Sequence, residues 1–243
     1  MSSNLIALAI VPGLLLIAYV YKKDRVEKEP PALLMKLVLF GILSCMAAGY
    51  LEQLESQLLP VYPKGTLEYA LQTSFCMAAL VEETVKFLAM RTASWNNRAF
   101  NYRFDGVVYG LTAAVGFAIY ENIMYVAMYG METAIVRAFT AIPLHAFCGA
   151  FMGALYSYSK KASILGNRGA SVMYTILALL VPMLIHGTYD TFAFLGQNGT
   201  GPLLVFVVIL YFAAITMIKK LSASDYRAGF YPEARPINYD VEI

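Results

Sequence analysis

The chain has 243 residues, of which 59% are hydrophobic and 14% carry a charged side chain, and its mean hydropathy is +0.60. Soluble domains contain about 25% charged residues, so the composition excludes an ordinary soluble protein. The formal net charge of +2 says little by itself, and nothing in the sequence indicates nucleic-acid binding.

Seven apolar stretches follow one another and leave room for little beyond helices and short loops. They comprise residues 5–20, 32–51, 67–90, 104–128, 133–157, 170–195 and 202–218. A hydrocarbon core about 30 Å thick requires about 20 helical residues at a rise of about 1.5 Å each. The sequence therefore predicts an all-α membrane domain of seven transmembrane helices, residues 1–221, and a cytoplasmic C-terminal tail, residues 222–243.

Basic residues cluster after the first, third, fifth and seventh apolar stretches. These segments hold fourteen of the 18 Lys and Arg residues, and the opposite side holds only Lys64. The positive-inside rule then predicts an N-terminus outside the membrane and a C-terminus in the cytoplasm. The first stretch is expected to be an anchor rather than a signal peptide, because its charges follow the apolar run and no small-residue cleavage site is evident.

Three ionisable side chains interrupt the third stretch, which contains the sequence LVEETVKFLAM at residues 80–90. An ionisable group at membrane depth costs roughly 2.5–3.5 kcal/mol, so such groups are candidates for function. Lys86 follows Glu82 by four residues and Glu83 by three, and one ammonium could therefore hold either acid ionised on a helix face.

The next three stretches also carry polar side chains. Glu121 and Asn122 lie in the fourth, His145 in the fifth, and His186 with Asp190 in the sixth; the chain has no other histidine. His186 and Asp190 are four residues apart and share a helix face. We therefore predict that four helices direct their acids and imidazoles at one water-accessible cavity.

This set of side chains suits peptide-bond hydrolysis without a nucleophilic side chain. A buried carboxylate beside an imidazole can take a proton from water, and a second imidazole can stabilise the oxyanion. Two histidines with carboxylates also suit zinc, so a metal site remains an alternative. The motifs HExxH and GxSxG are absent, and the three cysteines are interpreted as packing residues.

Two other classes of function remain open at this point. A proton-coupled transporter could use the buried glutamates and His186 as a proton relay, although no internal repeat is evident. A membrane scaffold could bind a partner helix through the small-residue ridge of Gly149 and Gly153, but the cost of the buried charges argues against it. Arg137, near the outer end of the fifth stretch, is interpreted as an interfacial or packing cation.

Five motifs occur in order along the chain, namely EExxK (82–86), DGxxYG (105–110), GFAxxEN (116–122), HxxxG (145–149) and HGxYD (186–190). With the first loop, YKKDRVEKEP, they resemble the PrsW family of intramembrane proteases, which is related to the CAAX-processing proteases. The resemblance extends from the first stretch to the sixth. The CAAX-processing proteases have FxxxH and a late HxxxN, whereas this chain ends the corresponding motifs in Glu121 and Asp190.

The resemblance implies a bacterial enzyme of the cell membrane that makes the first, extracytoplasmic cut in a single-span anti-sigma factor. That cut would release a sigma factor for stress transcription. The water would be activated by glutamate or by a divalent metal such as Zn²⁺, and no other cofactor is expected. The implied catalytic residues are Glu82, Glu83, Glu121 and His186, with His145 and Asp190 as weaker candidates and Lys86 and Asn122 in support.

A mechanistic hypothesis follows for these residues. One of Glu82 and Glu83 would act as general base, and Lys86 would keep the pair ionised. Glu121 would share the water or order the site, while His186 with Asp190 would stabilise the oxyanion. In the metal alternative, the candidate ligands are Glu83, Glu121, His145 and His186.

Overall fold

The computed structural model describes residues 3–227, which form a bundle of helices. In chain order the elements are α1 (Ser3–Lys23), α2 (Pro31–Glu55), α3 (Leu67–Leu71), a π-helical segment (Gln72–Ala79), α4 (Leu80–Ser94), α5 (Asp105–Phe139), α6 (Ala141–Ile164), α7 (Arg168–Phe194) and α8 (Gln197–Ala223). These residues contain no strand, so the prediction of an all-helical fold is confirmed.

Five helical stretches are long and apolar enough to cross a membrane. Four of them are α1, α2, α7 and α8, and the fifth is the 60-residue stretch Asp105–Ile164, which covers the fourth and fifth predicted spans. The third predicted span, residues 67–90, is helical throughout but is divided among α3, the π-helical segment and α4. The count of seven crossings therefore stays a prediction.

Helix α5 occupies the centre of the bundle. Its residues 105–119 and the preceding Phe104 are all buried, and α1, α2, α4 and α6 contact it. Apart from Asp105 at its start, this part of α5 carries apolar or small side chains on every face, which is the pattern of a helix surrounded by other helices. Any side chain that neighbouring helices direct at α5 is therefore held away from lipid.

Glycines bring α6 into backbone contact with α5. A Cβ atom built on Gly153 would lie 1.8 Å from the carbonyl oxygen of Gly106, and one on Gly149 would lie 2.3 Å from that of Gly110. The predicted small-residue ridge is thus confirmed, and α5 is the helix that packs on it. Because His145 lies one turn before Gly149, this crossing fixes the distance of its imidazole from α5.

Gly130 breaks α5 before its end. Its φ of 80° and ψ of −155° lie outside the helical region, and glycine adopts a positive φ without steric cost. Residues 131–139 consequently form a short separate helical segment that leads into α6. Arg137 lies on this segment and points back toward the first part of α5.

The predicted basic loops meet at one end of the bundle, called the basic end below. The Lys160 ammonium donates to the Trp95 carbonyl at 2.6 Å, and the Ser222 hydroxyl donates to the Lys23 carbonyl. These contacts join the C-terminal ends of α6, α4, α8 and α1. The short connections between helices then place the far ends of these helices, and the N-terminus of the π-helical segment, at the opposite end.

The first residues after α8 contact the basic end. The Asp225 carboxylate accepts a hydrogen bond from the Phe104 amide at 2.9 Å, and the Arg103 side chain donates to the Ser224 carbonyl at 2.6 Å. The rest of the predicted tail, residues 228–243, lies outside the described residues. The boundary at residue 221 stays a prediction.

Three carboxylates are buried at the basic end beyond the helix ends. Burial raises the pKa of Glu29 to about 7 and the pKa values of Asp24 and Asp225 to about 6. The Tyr109 hydroxyl donates to Glu29 at 2.6 Å, a contact that favours the carboxylate but does not offset its desolvation. Between about pH 4 and pH 6, these three carboxyl groups therefore keep protons in the folded chain that they have lost in the unfolded chain.

We predict that Gly153→Leu strongly destabilises the fold, because the new side chain would have to separate α5 from α6 at a backbone contact. Overpacking costs about 1–3 kcal/mol where side chains can adjust, and a carbonyl group cannot. The measurement is thermal unfolding of the purified protein in detergent. Gly201→Leu is the matched control, since a Cβ there meets no atom within 4 Å, and equal melting temperatures for the two variants would contradict the packing.

We also predict that stability falls as the pH rises from about 4 to about 7. In this interval the folded chain keeps protons on Asp24, Glu29 and Asp225 that unfolded carboxylates, with pKa values near 4, have released, so the unfolding free energy decreases. Glu29→Gln retains an acceptor for Tyr109 and should remove on the order of 2 kcal/mol of this dependence. The measurement is the melting temperature against pH.

The exposed Glu68 on α3 provides the control for this pH dependence. Glu68→Gln should leave the slope of melting temperature against pH unchanged. A slope that is the same in Glu29→Gln and in the unaltered chain would show that Glu29 does not retain its proton on folding.

Candidate active site

The ammonium group of Lys86 organises the two acids of α4. Its Nζ atom lies 2.9 Å from Glu82 Oε2 and 2.9 Å from Glu83 Oε1, which confirms the pairing predicted from the spacing. The side chain of Lys86 is only 1% exposed, and the ring of Phe117 lies 4.0 Å from Nζ. Ions this deeply buried are stable only when they are paired.

Lys86 also determines which nitrogen of His145, on α6, carries the ring proton. Nζ lies 2.9 Å from His145 Nδ1, and an ammonium group can only donate. His145 Nδ1 must therefore accept, and the ring proton lies on Nε2. That nitrogen lies 2.9 Å from Glu121 Oε2 on α5 and donates to it.

Arg137 holds Glu121 and Asn122 in place. Its terminal nitrogen lies 2.6 Å from Glu121 Oε2, and its Nε atom donates to Asn122 Oδ1 at 2.8 Å. The interpretation of Arg137 as an interfacial or packing cation is therefore wrong. Sequence analysis missed this contact because the turn at Gly130, which returns Arg137 to α5, has no hydropathy signal.

His186 connects α7 to the same cluster through both ring nitrogens. Nδ1 lies 2.8 Å from Glu83 Oε1, and Nε2 lies 3.2 Å from Asp190 Oδ2 and 3.9 Å from Glu82 Oε2. The next residue, Gly187, allows this approach, since a Cβ there would lie 2.5 Å from the ring of Phe75 in the π-helical segment. The shared face predicted for His186 and Asp190 is thus present.

The π-helical segment directly precedes the acid pair. Segments with this wider turn are rare and are often found at functional sites. It packs against α7 and presents Thr73, Met77 and Ala78 to the cavity described below. The sequence predicts one continuous helix over residues 67–90, so the π-helical turn was not foreseen.

A cavity of about 520 Å³ adjoins the cluster. It is lined by Glu82, Glu121, Arg137, His145, His186 and Asp190 together with side chains of α2, the π-helical segment and α7. Glu83, Lys86 and Asn122 do not line it and are 0–1% exposed. The predicted residues therefore form two layers, one that reaches the cavity and one that holds the first in place.

The cluster also meets the requirements of a metal site. One donor atom from each of Glu82, Glu83, His145 and His186 lies within 4.8 Å of all the others, and imidazole with carboxylate is a donor set used for zinc. Glu83 Oε2 is buried and has no hydrogen-bond partner among the described residues, so one oxygen is available to a ligand. Glu121 is outside this group, because it contacts the far nitrogen of His145.

Lys86 is the feature that a metal ion would have to accommodate. Its ammonium contacts three of the four donors at 2.9 Å. A divalent cation among these donors would repel the ammonium at close range. Metal binding therefore requires the second oxygens of the glutamates or a shift of Lys86.

Helices long and apolar enough to cross a membrane, packed around a buried set of acids and imidazoles, define a multi-pass membrane protein with an internal polar site. A family model described as "PrsW family intramembrane metalloprotease" matches residues 29–217. The chain belongs to this family, and it is accordingly a peptidase and a multi-pass membrane protein.

Similar proteins support the same assignment. A protein named Protease PrsW from Clostridioides difficile is 31% identical over 225 residues, which cover 90% of this chain and 92% of that protein. Proteins of the same name from Bacillus subtilis and Geobacillus kaustophilus are each 29% identical over 89% of this chain, and the matches cover 94% and 92% of their lengths. No solved structure matches the chain.

We predict that Lys86→Met destabilises the fold by about 3–5 kcal/mol, because it leaves two carboxylates buried without a cation. Adding Glu82→Gln and Glu83→Gln should restore part of this loss, since it removes the uncompensated charge. Thermal unfolding in detergent measures both effects. Lys36→Met, at an exposed position of α2, is the control, and the account is wrong if Lys86→Met melts at the same temperature as this control.

Proposed function

We propose that the chain hydrolyses a single-span membrane protein with a water molecule activated by Glu82. The observation that carries this proposal is the unequal placement of the acid pair. Glu82 lines the cavity, whereas Glu83 is fully buried behind it between Lys86 and His186. Glu82 is thus the member of the pair that a water in the cavity can reach.

In the first chemical step, Glu82 takes a proton from the water while the water oxygen attacks the carbonyl carbon of the scissile peptide bond. His186 donates a hydrogen bond from Nε2 to the oxyanion that forms. Both nitrogens of His186 face carboxylate oxygens, which accept and do not donate, so we assign a proton to each nitrogen. The Glu82 proton then passes to the leaving amine as the C–N bond breaks.

The remaining residues position these two groups. Lys86 and Glu83 hold Glu82 and His186 at fixed distances, and Asp190 orients the Nε2 side of His186. Arg137 fixes Glu121, which in turn orients His145. Preorganised groups of this kind lower the barrier because they need not rearrange as charge develops.

A metal ion remains the alternative route, consistent with the family description. Glu83, His145 and His186 would hold it, and a bound divalent cation would polarise the water and the scissile carbonyl. A nitrogen of His186 that bound the metal would lose its proton, so only the other ring nitrogen could still donate a hydrogen bond. Glu82 takes the proton from water in both cases.

We further propose that the site faces the outside of a bacterial cell membrane. The cavity is lined near the C-terminal ends of α2 and α7, by Glu52 and Phe194, and these ends lie opposite the basic loops. If the basic end is cytoplasmic, the N-terminus is outside, residues 222–243 are cytoplasmic, and cleavage occurs on the extracytoplasmic side. A membrane-anchored anti-sigma factor, the substrate implied by the family resemblance, fits this geometry, and its cleavage would release a sigma factor.

We predict that Glu82→Gln lowers cleavage by at least about 10²-fold, the usual contribution of a general base. His186→Ala should have an effect of similar size, because it removes the oxyanion donor. The measurement uses purified protein in detergent, a bacterial single-span anti-sigma factor as substrate, and mass spectrometry of the products. Glu132→Gln, at an exposed position after Gly130, should cleave at the unaltered rate.

The same assay distinguishes the alternatives. Cleavage that persists in a chelator supports the metal-free route, and loss of cleavage that Zn²⁺ restores supports the metal route. Specific cleavage also excludes a role limited to proton transport. Full activity of Glu82→Gln would refute the assignment of the general base.

A further inference from the structure

One carboxylate in the cavity has no role in the proposed chemistry. Four acids line the cavity, and three of them are paired: Glu82 with Lys86, Glu121 with Arg137, and Asp190 with His186. The fourth is Glu52 of α2. Within residues 3–227, its side chain has neither a hydrogen bond nor an ion pair.

The position of Glu52 separates it from the catalytic cluster. It lies on α2, which contributes none of the acids and imidazoles of the site, and it is three residues from the end of that helix. At 1.5 Å per residue, its Cα is about 5 Å from the helix end. The side chain is half-buried and lines the cavity together with Cys45, Met46 and Gly49 of the same helix.

An unpaired carboxylate in such a place lacks the cation that its neighbours have. Desolvation makes a partly buried charge costly, and an opposite charge delivered by a ligand recovers that cost. Two cations line the cavity in the described chain, and both are already paired: Arg137 with Glu121 and Asn122, and the doubly protonated His186 with Glu83 and Asp190. The missing cation must therefore come from what enters the cavity.

We propose that Glu52 forms a specificity subsite for a lysine or arginine side chain of the substrate, close to the scissile bond. The inference rests on the proposed function, because it takes the entering molecule to be a peptide. Lysine and arginine side chains suit a position near the end of a membrane helix. Their alkyl stems lie along apolar surface while the charged end reaches a polar boundary. Met46 and Met77 supply apolar surface, and Glu52 supplies the charge.

Binding is the first measurement, because it does not require cleavage. Fluorescent single-span peptides, identical except for one residue, carry Lys, Gln or Glu at successive positions of the segment just outside the membrane. Their Kd values are measured with the Glu82→Gln chain in detergent. At one position the Lys peptide should bind on the order of tenfold more tightly than the Gln peptide, the size of one charge-assisted hydrogen bond.

Variants of Glu52 then test whether this residue is responsible. In the Glu82→Gln background, Glu52→Gln should bring the ratio of Kd values for the Lys and Gln peptides to about one. Glu52→Lys should reverse the preference, so that the Glu peptide binds best. Glu55→Gln is the matched control on the same helix, because Glu55 lines a separate groove between α2 and α4, and it should retain the preference for Lys.

The two proposals can fail separately in these experiments. Equal Kd values for Lys and Gln peptides at every position would overturn the subsite, and so would a Lys preference that persists in both Glu52 variants. Failure of the unaltered chain to cleave any of the peptides would instead count against the hydrolase mechanism. Melting temperatures of both Glu52 variants close to that of Glu55→Gln show that any loss of preference is not caused by unfolding.

Discussion

The ammonium group of Lys86 is the constraint on which the arrangement of the site depends. An ammonium group in the interior of a membrane protein needs a partner for each of its three protons, because no water replaces a missing one. Glu82, Glu83 and His145 provide these partners at 2.9 Å each. Because one partner lies on a different helix, the lysine fixes the distance between α4 and α6 as well as the charge of the acid pair.

Close helix packing allows this cluster of buried charges to exist within a bilayer. Glycines let α5 and α6 meet backbone to backbone, and Gly187 lets α7 approach the π-helical segment. Within this packing, Glu83 and Lys86 are 0–1% exposed, whereas Glu82, Glu121 and Asp190 line the cavity. The enclosed side chains hold one another in fixed orientations, and the side chains along the cavity remain accessible to water and substrate. The site therefore combines rigid support with a reactive surface.

Much of this site could be predicted from the sequence, because the cost of burying charge restricts where ionisable residues occur. Glu82, Glu83, Glu121, His145, His186 and Asp190 were identified since each interrupts an apolar stretch, and the structure brings all of them together. The pairing of Glu82 with Lys86 followed from helix geometry alone. Membership of the PrsW family, inferred from five ordered motifs, agrees with the family match.

Other features depended on three-dimensional contacts that spacing does not encode. Arg137 is sixteen residues from Glu121 in sequence, and only the break at Gly130 returns it to that carboxylate. Glu52 lies near the end of a helix, where charged residues are common. The sequence therefore does not predict that its side chain lines the cavity. The π-helical turn at residues 72–79 has no hydropathy signal that differs from an α-helix. Pairing of Lys86 with His145 also required the fold, since the two residues are 59 positions apart.

Imidazole nitrogen NMR tests the central claim most directly, because the chain has only two histidines. Protein labelled with ¹⁵N-histidine in detergent gives one pair of ring signals per residue, which a His145→Gln variant assigns. The account predicts that His145 is held as a single tautomer, with Nε2 protonated and Nδ1 accepting a hydrogen bond from Lys86, and that Lys86→Met abolishes this preference. Two imidazoles with averaged signals like those of free histidine, unaffected by Lys86→Met, would contradict it.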